Sequence, residues 1–346
     1  MVTGGAGFIG SAVVRRLLET DHDVLNIDKL TYAGRIETLK DAAASPHYRF
    51  AQIDVADRAA ITEVFASFDP ELVLHLAAES HVDRSIENSS VFITTNIVGT
   101  HVMLECALLH WRALDPRRQS EFRFVHVSTD EVYGTLGSEG FFSEESAYAP
   151  NSPYAASKAA ADHLARAWHQ TYGLPVITTN CSNNYGPWQH PEKLLPTILR
   201  NAVSELPIPI YGTGDNVRDW LFVEDHVDGL LLAARAGRPG EKYNFGGDAE
   251  RSNLQLARTV CGILDEIRPR GGGRSHLDAI TLVADRPGHD FRYAVDASKA
   301  KRDLNWTSAH DFERGLTRTI QWYLSNPIWF ARSDVELGRR GLIDTP

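Results

Sequence analysis

Two short segments carry side chains that can move protons on and off carbon and oxygen. Tyr154-Ala155-Ala156-Ser157-Lys158 sets a phenol and an ammonium four residues apart, on one face of a helix. A free tyrosine, with a pKa of roughly 10, is a poor base at neutral pH. A nearby ammonium and the positive charge of an oxidised nicotinamide favour the phenolate. Tyr154 then becomes a base that takes a hydroxyl proton while hydride leaves the same carbon. Alone, Tyr-x-x-x-Lys is frequent by chance and usually a solvated helix pair. Thr129-Asp130-Glu131 adds two adjacent carboxyls. These can act as acid and base only where their surroundings separate their protonation. On a surface turn they would merely be solvated.

A glycine turn gives both segments a context. Gly4-Gly5-Ala6-Gly7-Phe8-Ile9-Gly10 follows a stub of strand and runs into a helix. Glycines 4, 7 and 10 permit a tight turn, close approach of a ligand to backbone, and close helix packing. The helix N-terminus offers N–H groups to a pyrophosphate. Asp28 closes the next strand, where a carboxylate accepts from both adenosine ribose hydroxyls and repels a 2′-phosphate, so NAD is preferred over NADP. As a bare turn or cap residue, Asp28 would carry none of this. Asp54-Val55 ends the third strand near the adenine edge, and Leu76-Ala77-Ala78 ends the fourth with small residues. Only Met1 to Thr3 precede the turn. Such a short first strand leads us to expect a truncated N-terminus or a misassigned start.

The elements that must hold these residues alternate. Val24 to Ile27, Phe50 to Ile53, Leu72 to Leu76, Phe122 to Val127 and Pro175 to Thr179 read as strands. Phe8 to Leu18, Ala59 to Phe68, Val91 to His110 and Ser152 to Tyr172 read as helices, the last starting at Ser152-Pro153. Apolar strands alternating with helices predict an α/β fold, a Rossmann-type doubly wound parallel sheet. After about Asn180 the connections lengthen. Ile208 to Tyr211 and Trp220 to Val223 read as strands, and Val227 to Arg235, Leu254 to Ile267 and Phe312 to Leu324 as helices. Arg268 to Ser275 reads as a surface loop. The predicted organisation is a dinucleotide-binding domain over 1–180, with a return near 214–243, a smaller, partly interleaved α/β domain over 181–330, and a tail over 331–346. The cleft between the two domains is the default ligand site.

Composition narrows the classes. The 346 residues carry a formal net charge of −10, which argues against a nucleic-acid-binding protein. The basic run Arg112 to Arg118 reads as a solvated loop interrupted by Pro116. Cys106, Cys181 and Cys261 match no metal spacing and read as reduced thiols of a cytoplasmic protein. No His-Glu-x-x-His or Cys/His cluster suggests a metal. No apolar stretch reads as a membrane span, and the glycine-rich start is unlike a signal peptide.

With these residues in place, the pattern resembles the extended short-chain dehydrogenase/reductase family, in which Ser or Thr, Tyr and Lys act together. More narrowly, Ser128-Thr129-Asp130-Glu131-Val132-Tyr133-Gly134 is similar to the dTDP-glucose 4,6-dehydratase branch. Ala77 to Ser85, Asn180 to Pro187, Arg218-Asp219-Trp220 and Asp285 to Asp290 extend the resemblance to about Pro327. It implies oxidation of a hexose at C4, removal of the C5 proton by Glu131, and departure of the C6 hydroxyl as water with help from Asp130. Hydride held by NAD then returns to C6. The catalytic set so implied is Thr129, Asp130, Glu131, Tyr154 and Lys158. The cofactor set is Gly4, Gly7, Phe8, Ile9, Gly10, Asp28, Lys29, Leu30, Thr31, Asp54, Val55, Leu76, Ala77, Ala78, Ser80, Thr95, Tyr154, Lys158 and Asn184.

For a nucleotide-diphosphate sugar, the resemblance implies Ser80, Thr129 and Asn183 near the hexose, and Glu192, Lys193 and Leu194 beside the diphosphate. Pro209, Ile210 and Tyr211 would border the base. Arg218 and Arg286 are the expected pyrophosphate partners, because a guanidinium makes forked hydrogen bonds; Asn253 and His289 complete the set. Arg218 would otherwise be a surface ion pair, and Asn253 a helix cap. Trp188 and Phe291 depart from the usual pattern, and the connection 135–143 is compact. A homodimer through the helices Val91 to His110 and Ser152 to Tyr172 is also implied, although packing against the sheet explains them as well. Competing readings are a 4,6-dehydratase of UDP-glucose, a UDP-sugar epimerase or decarboxylase on the same scaffold, and a non-catalytic dinucleotide sensor. The epimerase would not need Asp130 and Glu131, the decarboxylase usually lacks the aspartate, and the sensor typically loses Tyr154 or Lys158.

Overall fold

The apolar runs of the first half become strands of one parallel sheet. In the computed structural model, which describes residues 1–20 and 22–331, β1 (Val2–Thr3) leads through the glycine turn into α1 (Phe8–Leu18). Then come β2 (Val24–Ile27), β3 (Tyr48–Ala51), α2 (Arg58–Phe68), β4 (Leu72–His75), α3 (Val82–Glu87) and α4 (Ser90–Phe92). A π-helical stretch over Ile93–Gly99 joins α4 to α5 (Thr100–Ala113), followed by α6 (Pro116–Glu121), β5 (Arg123–Thr129), α7 (Pro153–Tyr172) and β6 (Val176–Cys181). The second half supplies β7 (Asn183–Tyr185), α8 (Leu194–Val203), β8 (Ile208–Tyr211), β9 (Val217–Phe222), α9 (Val223–Ala236) and β10 (Lys242–Phe245). It ends with β11 (Glu250–Ser252), α10 (Asn253–Ile267), β12 (Ile280–Val283), α11 (Ser298–Leu304), α12 (Phe312–Ser325) and α13 (Ile328–Ala331). Apart from Ala331, the segment 331–346 lies outside the described residues.

Seven strands pair in the order β10-β6-β5-β4-β1-β2-β3, every pair parallel. This is the Rossmann-type sheet expected, and its order reverses between β1 and β4. Ligands of such sheets bind outside the carboxyl ends at that reversal. On one face Ile61, Phe65, Val102, Met103 and Phe124 form a core, and on the other Val13, Val14, Val125, Val227 and Leu230 form a second. A separate core gathers Ile198, Leu199, Leu256, Val260, Leu316 and Ile320 around Tyr185 and Phe222. Beside it lie a β11-β9-β7 sheet and the β12-β8 pair. The chain returns to the main sheet through α9 and β10.

Several boundaries differ from the sequence reading for local reasons. β3 starts at Tyr48 because it is a half-exposed edge strand with no apolar run to mark it. Arg112 to Arg118 is largely helical: α5 runs to Ala113, and Asp115 caps α6 by accepting the Arg117 and Arg118 N–H groups at 3.0 Å each. β9 covers Val217–Phe222 and α9 already begins at Val223. The helix expected over Val91 to His110 contains the π-helical stretch. The helical stretch Ser90–Ala113 has, over its 24 residues, the length and apolar composition of a membrane span, which the sequence reading did not credit. It packs instead between α2 and α7.

Leu74, wholly buried at the centre of the sheet, tests the sheet's packing. Leu74→Ala should lower unfolding stability by about 2–5 kcal/mol, read from denaturant unfolding midpoints.

Candidate active site

The glycine turn closes only because side chains are missing. Gly4 sits at φ +71°, and a Cβ on it would lie 2.7 Å from the Ala77 nitrogen; one on Gly10 would lie 2.1 Å from the Gly4 oxygen. α1 starts at Gly7 with no capping side chain, so its first N–H groups face outward at the sheet's reversal point. Asp28 ends β2 with Oδ2 accepting from the Ala6 N–H at 3.0 Å and Oδ1 from the Leu30 N–H at 2.8 Å. Lys29 Nζ donates to Thr95 Oγ1 at 2.7 Å. A pyrophosphate cradle with a ribose-facing carboxylate fits NAD.

One cleft is lined by Gly4, Gly7, Phe8, Ile9, Gly10, Asp28, Lys29, Thr31, Val55, Leu76, Ala77, Ala78, Ser80, Thr95, Tyr154, Lys158 and Asn184. Leu30 and Asp54 do not line it. Leu30 turns away at φ +56°, while Asp54 accepts from the Ala56 N–H at 2.9 Å and pairs with Lys29 at 3.5 Å.

Helix α7 delivers Tyr154 and Lys158. The Ser152 hydroxyl accepts the Ala155 N–H at 3.1 Å, Pro153 fills the first turn, and the Tyr154 N–H donates to Ser85 Oγ at 3.1 Å. Lys158 Nζ donates to the Val127 carbonyl at 2.8 Å, tying the ammonium to β5. Asn96, on the π-helical stretch, accepts from the Glu79 N–H at 2.8 Å and donates to the Glu79 carbonyl at 3.0 Å and Ser157 Oγ at 2.8 Å. One turn past Lys158, the buried Asp162 bonds His126 Nε2 at 2.9 Å and accepts from Ser128 Oγ at 2.9 Å and the Tyr148 hydroxyl at 2.8 Å. The inner face of α7 is thereby clamped to β5, α3 and the π-helical stretch.

Thr129 is the last residue of β5, and Asp130–Tyr133 follows as a single tight turn with Val132 and Tyr133 buried as its plug. Thr129 Oγ1 accepts from the Glu131 N–H at 3.3 Å and donates to Asp130 Oδ1 at 3.3 Å, while Asp130 Oδ2 is buried without a partner. Glu131 also borders a second cavity, which continues the cleft between the two halves of the molecule. Ser80, Asn183, Glu192, Lys193, Leu194, Pro209, Ile210, Tyr211, Arg218, Asn253, Arg286 and His289 line it, and Thr129 closes the first. Asn253 is not the cap of α10; Ser252 caps it in a capping box, leaving Asn253 buried at the cleft. Arg218 is no surface ion pair: its guanidinium lies over the Tyr293 ring at 4.3 Å and donates to the Val217 and Asp290 carbonyls at 2.7 and 3.0 Å.

The profile of the GDP-mannose 4,6 dehydratase family matches residues 1–319. A probable dTDP-glucose 4,6-dehydratase of Sinorhizobium fredii is 53% identical over 99% of both chains. The dTDP-glucose 4,6-dehydratase of Neisseria meningitidis is 54% identical over 95% of this chain and 94% of its own. The chain belongs to the dTDP-glucose 4,6-dehydratase family. The fold agrees: DesIV, the dTDP-glucose 4,6-dehydratase of Streptomyces venezuelae solved with NAD bound, superposes with TM-score 0.85 at 44% identity, covering 95% of this chain and 97% of DesIV.

The surroundings of the two neighbouring carboxyls differ. Burial, then the Glu131 charge, holds the Asp130 carboxyl far above the usual carboxylate range. Burial also raises Glu131, but Arg286, Arg218 and Lys193 oppose it, in that order. Burial, then Glu131, pushes the Tyr154 phenol well up, and a hydrogen bond with the Thr129 hydroxyl pulls the other way. The Lys158 ammonium, expected to favour the phenolate together with an oxidised nicotinamide, donates to the Val127 carbonyl. Burial lowers Lys158, and the Asp162 charge sustains it.

Four residues in this arrangement went unread in the sequence. Asp162 stands one turn after Lys158 on the same helical face, a spacing that pointed to it. Asp83 stands in the Ala77 to Ser85 run with no role assigned to it there, and Asn96 and Tyr293 reach the site only through the fold.

Asp130 costs the fold stability. Its carboxyl keeps its proton in the folded chain well above the ordinary value of 3.8, so stability falls as pH rises from there toward the folded-state pKa. Asp130→Asn should unfold at a higher temperature than the parent at pH 8, with the two melting curves converging below pH 4.

Proposed function

We propose that the chain converts dTDP-glucose to dTDP-4-keto-6-deoxyglucose and water as an NAD-dependent dehydratase. The observation that carries this is the pair at the end of β5: a buried Asp130, its carboxyl pushed well up by burial and the Glu131 charge, beside a Glu131 that faces Arg286, Arg218 and Lys193. When bound, NAD supplies the hydride acceptor at C4, the hydride donor at C6 and a positive charge against the Tyr154 phenol. Tyr154 takes the C4 hydroxyl proton, with Thr129 hydrogen-bonded to its phenol and Lys158 fixed on β5. The C4 ketone acidifies the C5–H bond, and Glu131 takes that proton. Asp130 gives its proton to the C6 hydroxyl, which leaves as water. Glu131 returns its proton to C5 after C6 is reduced. Tyr154 has then gained the one proton that Asp130 lost, and Thr129, bonded to both, connects them. Arg218 and Arg286 hold the diphosphate, and Pro209 and Tyr211 border the base.

Glu131→Gln and Asp130→Asn should keep NAD binding and lose dehydration by at least about a hundredfold, scored as 4-keto-6-deoxy product from dTDP-glucose. Full turnover in both would sink this division of roles. The acid limb of kcat/KM should lie above the ordinary carboxylate range, where Glu131 loses its proton, and activity should fall again where Asp130 ionises.

A homodimer is part of the same proposal. Val91, Ile93, Val98 and Leu109 leave exposed aliphatic side chains along Ser90–Ala113, with Tyr172 exposed at the end of α7. Val98→Asp with Leu109→Asp should halve the mass measured by sedimentation without loss of the folded signal. We place the protein in the cytoplasm; its three cysteines, buried and free, support that.

A further inference from the structure

A carboxylate lies at the wall of the cleft where the nucleotide's diphosphate is expected, and this needs explaining, since a negative charge there opposes an anionic ligand. Asp83, on α3, comes from the large sheet's side of the cleft. Its Oδ1 accepts from Arg286 Nη1 at 2.9 Å and its Oδ2 from the Tyr211 hydroxyl at 3.2 Å. Both partners belong to the opposite side, Tyr211 at the end of β8 and Arg286 in the connection after β12. Asp83 is the residue through which α3 grips both of them.

The pairing also orients the guanidinium. With Nη1 committed to Asp83, the Arg286 Nε is buried and has no hydrogen-bond partner. An arginine binds a phosphate best through two parallel N–H groups. One such edge is blocked by Asp83, leaving the edge made by Nε and Nη2 for an incoming anion. The same guanidinium is the largest attraction on the Glu131 charge, so holding it in place serves both the diphosphate and the base.

We propose that Asp83 is a positioning residue that ties Arg286 and Tyr211 across the cleft and turns the remaining Arg286 edge toward the nucleotide diphosphate. This rests on the nucleotide-diphosphate part of the function proposed above. Asp83 touches neither the reacting carbons nor the cofactor cradle. Its removal acts through Arg286, and the loss is read in ligand affinity.

The test is a double-mutant cycle on dTDP binding, measured by calorimetry for the parent, Asp83→Asn, Arg286→Ala and the double variant. Asp83→Asn should weaken dTDP about tenfold, and in the Arg286→Ala background it should cost about twofold or less. NAD affinity and melting temperature of Asp83→Asn should stay near the parent's. Unchanged dTDP affinity in Asp83→Asn, or an equal loss with and without Arg286, overturns the proposal. Should Asp83→Asn not fold, Asp83→Glu replaces it in the cycle, with a smaller loss that again disappears without Arg286. Dehydration of dTDP-glucose by the parent is scored separately. A parent that binds dTDP and makes no product fails the proposed reaction while leaving the Asp83 result standing.

Discussion

The Asp130 carboxyl is held far above the usual carboxylate range because β5 carries it out of water and sets Glu131 beside it. A carboxyl moved from water into a low-dielectric site loses far more as an anion than as an acid. That single constraint governs much of the site. Asp130 Oδ2 has no partner, a defect a stability-optimised turn would not keep, and Val132 and Tyr133 are buried beneath the turn to hold it in place. Arg286, Arg218 and Lys193 oppose the effect of burial on Glu131 from three separate segments.

In the proposed reaction, Tyr154 and Lys158 obey a different demand. Phenol and ammonium must not drift, because proton transfer needs hydrogen-bond contact. α7 is therefore fixed at several points on its inner face: Ser157 to Asn96, Lys158 to the Val127 carbonyl, and Asp162 to His126, Ser128 and Tyr148. The π-helical stretch before α5 supports this clamp by presenting Asn96 to both Glu79 and Ser157. Extra residues in a helical turn re-aim side chains, and such turns recur at functional sites.

The two halves meet along a cleft whose walls come from distant parts of the chain. On the sheet side the carboxyl ends of β1, β2, β4, β5 and β6 supply the cradle and the reactive groups. On the other side β8, β9 and the connection after β12 supply Tyr211, Arg218 and Arg286. A parallel sheet with a reversal in strand order leaves a crevice where adjacent loops diverge, and the smaller core fills the space above it.

Local pattern determined a good deal by itself. The glycine spacing, Asp28 after an apolar strand, Tyr154 and Lys158 at one helical turn's separation and the Thr129-Asp130-Glu131 run are all written in residues near one another, and periodicity marked most strands and helices. Boundaries were lost where the signal is weak: at the half-exposed β3, and at α6, whose start rests on one aspartate cap. The tertiary structure decided what depends on distance along the chain. Leu30 and Asp54 turn from the cleft while their neighbours face it, and Tyr293 arrives from a segment with no motif of its own. Above all, protonation was undetermined in the sequence, because a carboxyl's charge depends on the water removed from it and the charges folded against it. Asp130 and Glu131 are adjacent in the chain and differ only in what the fold places around them.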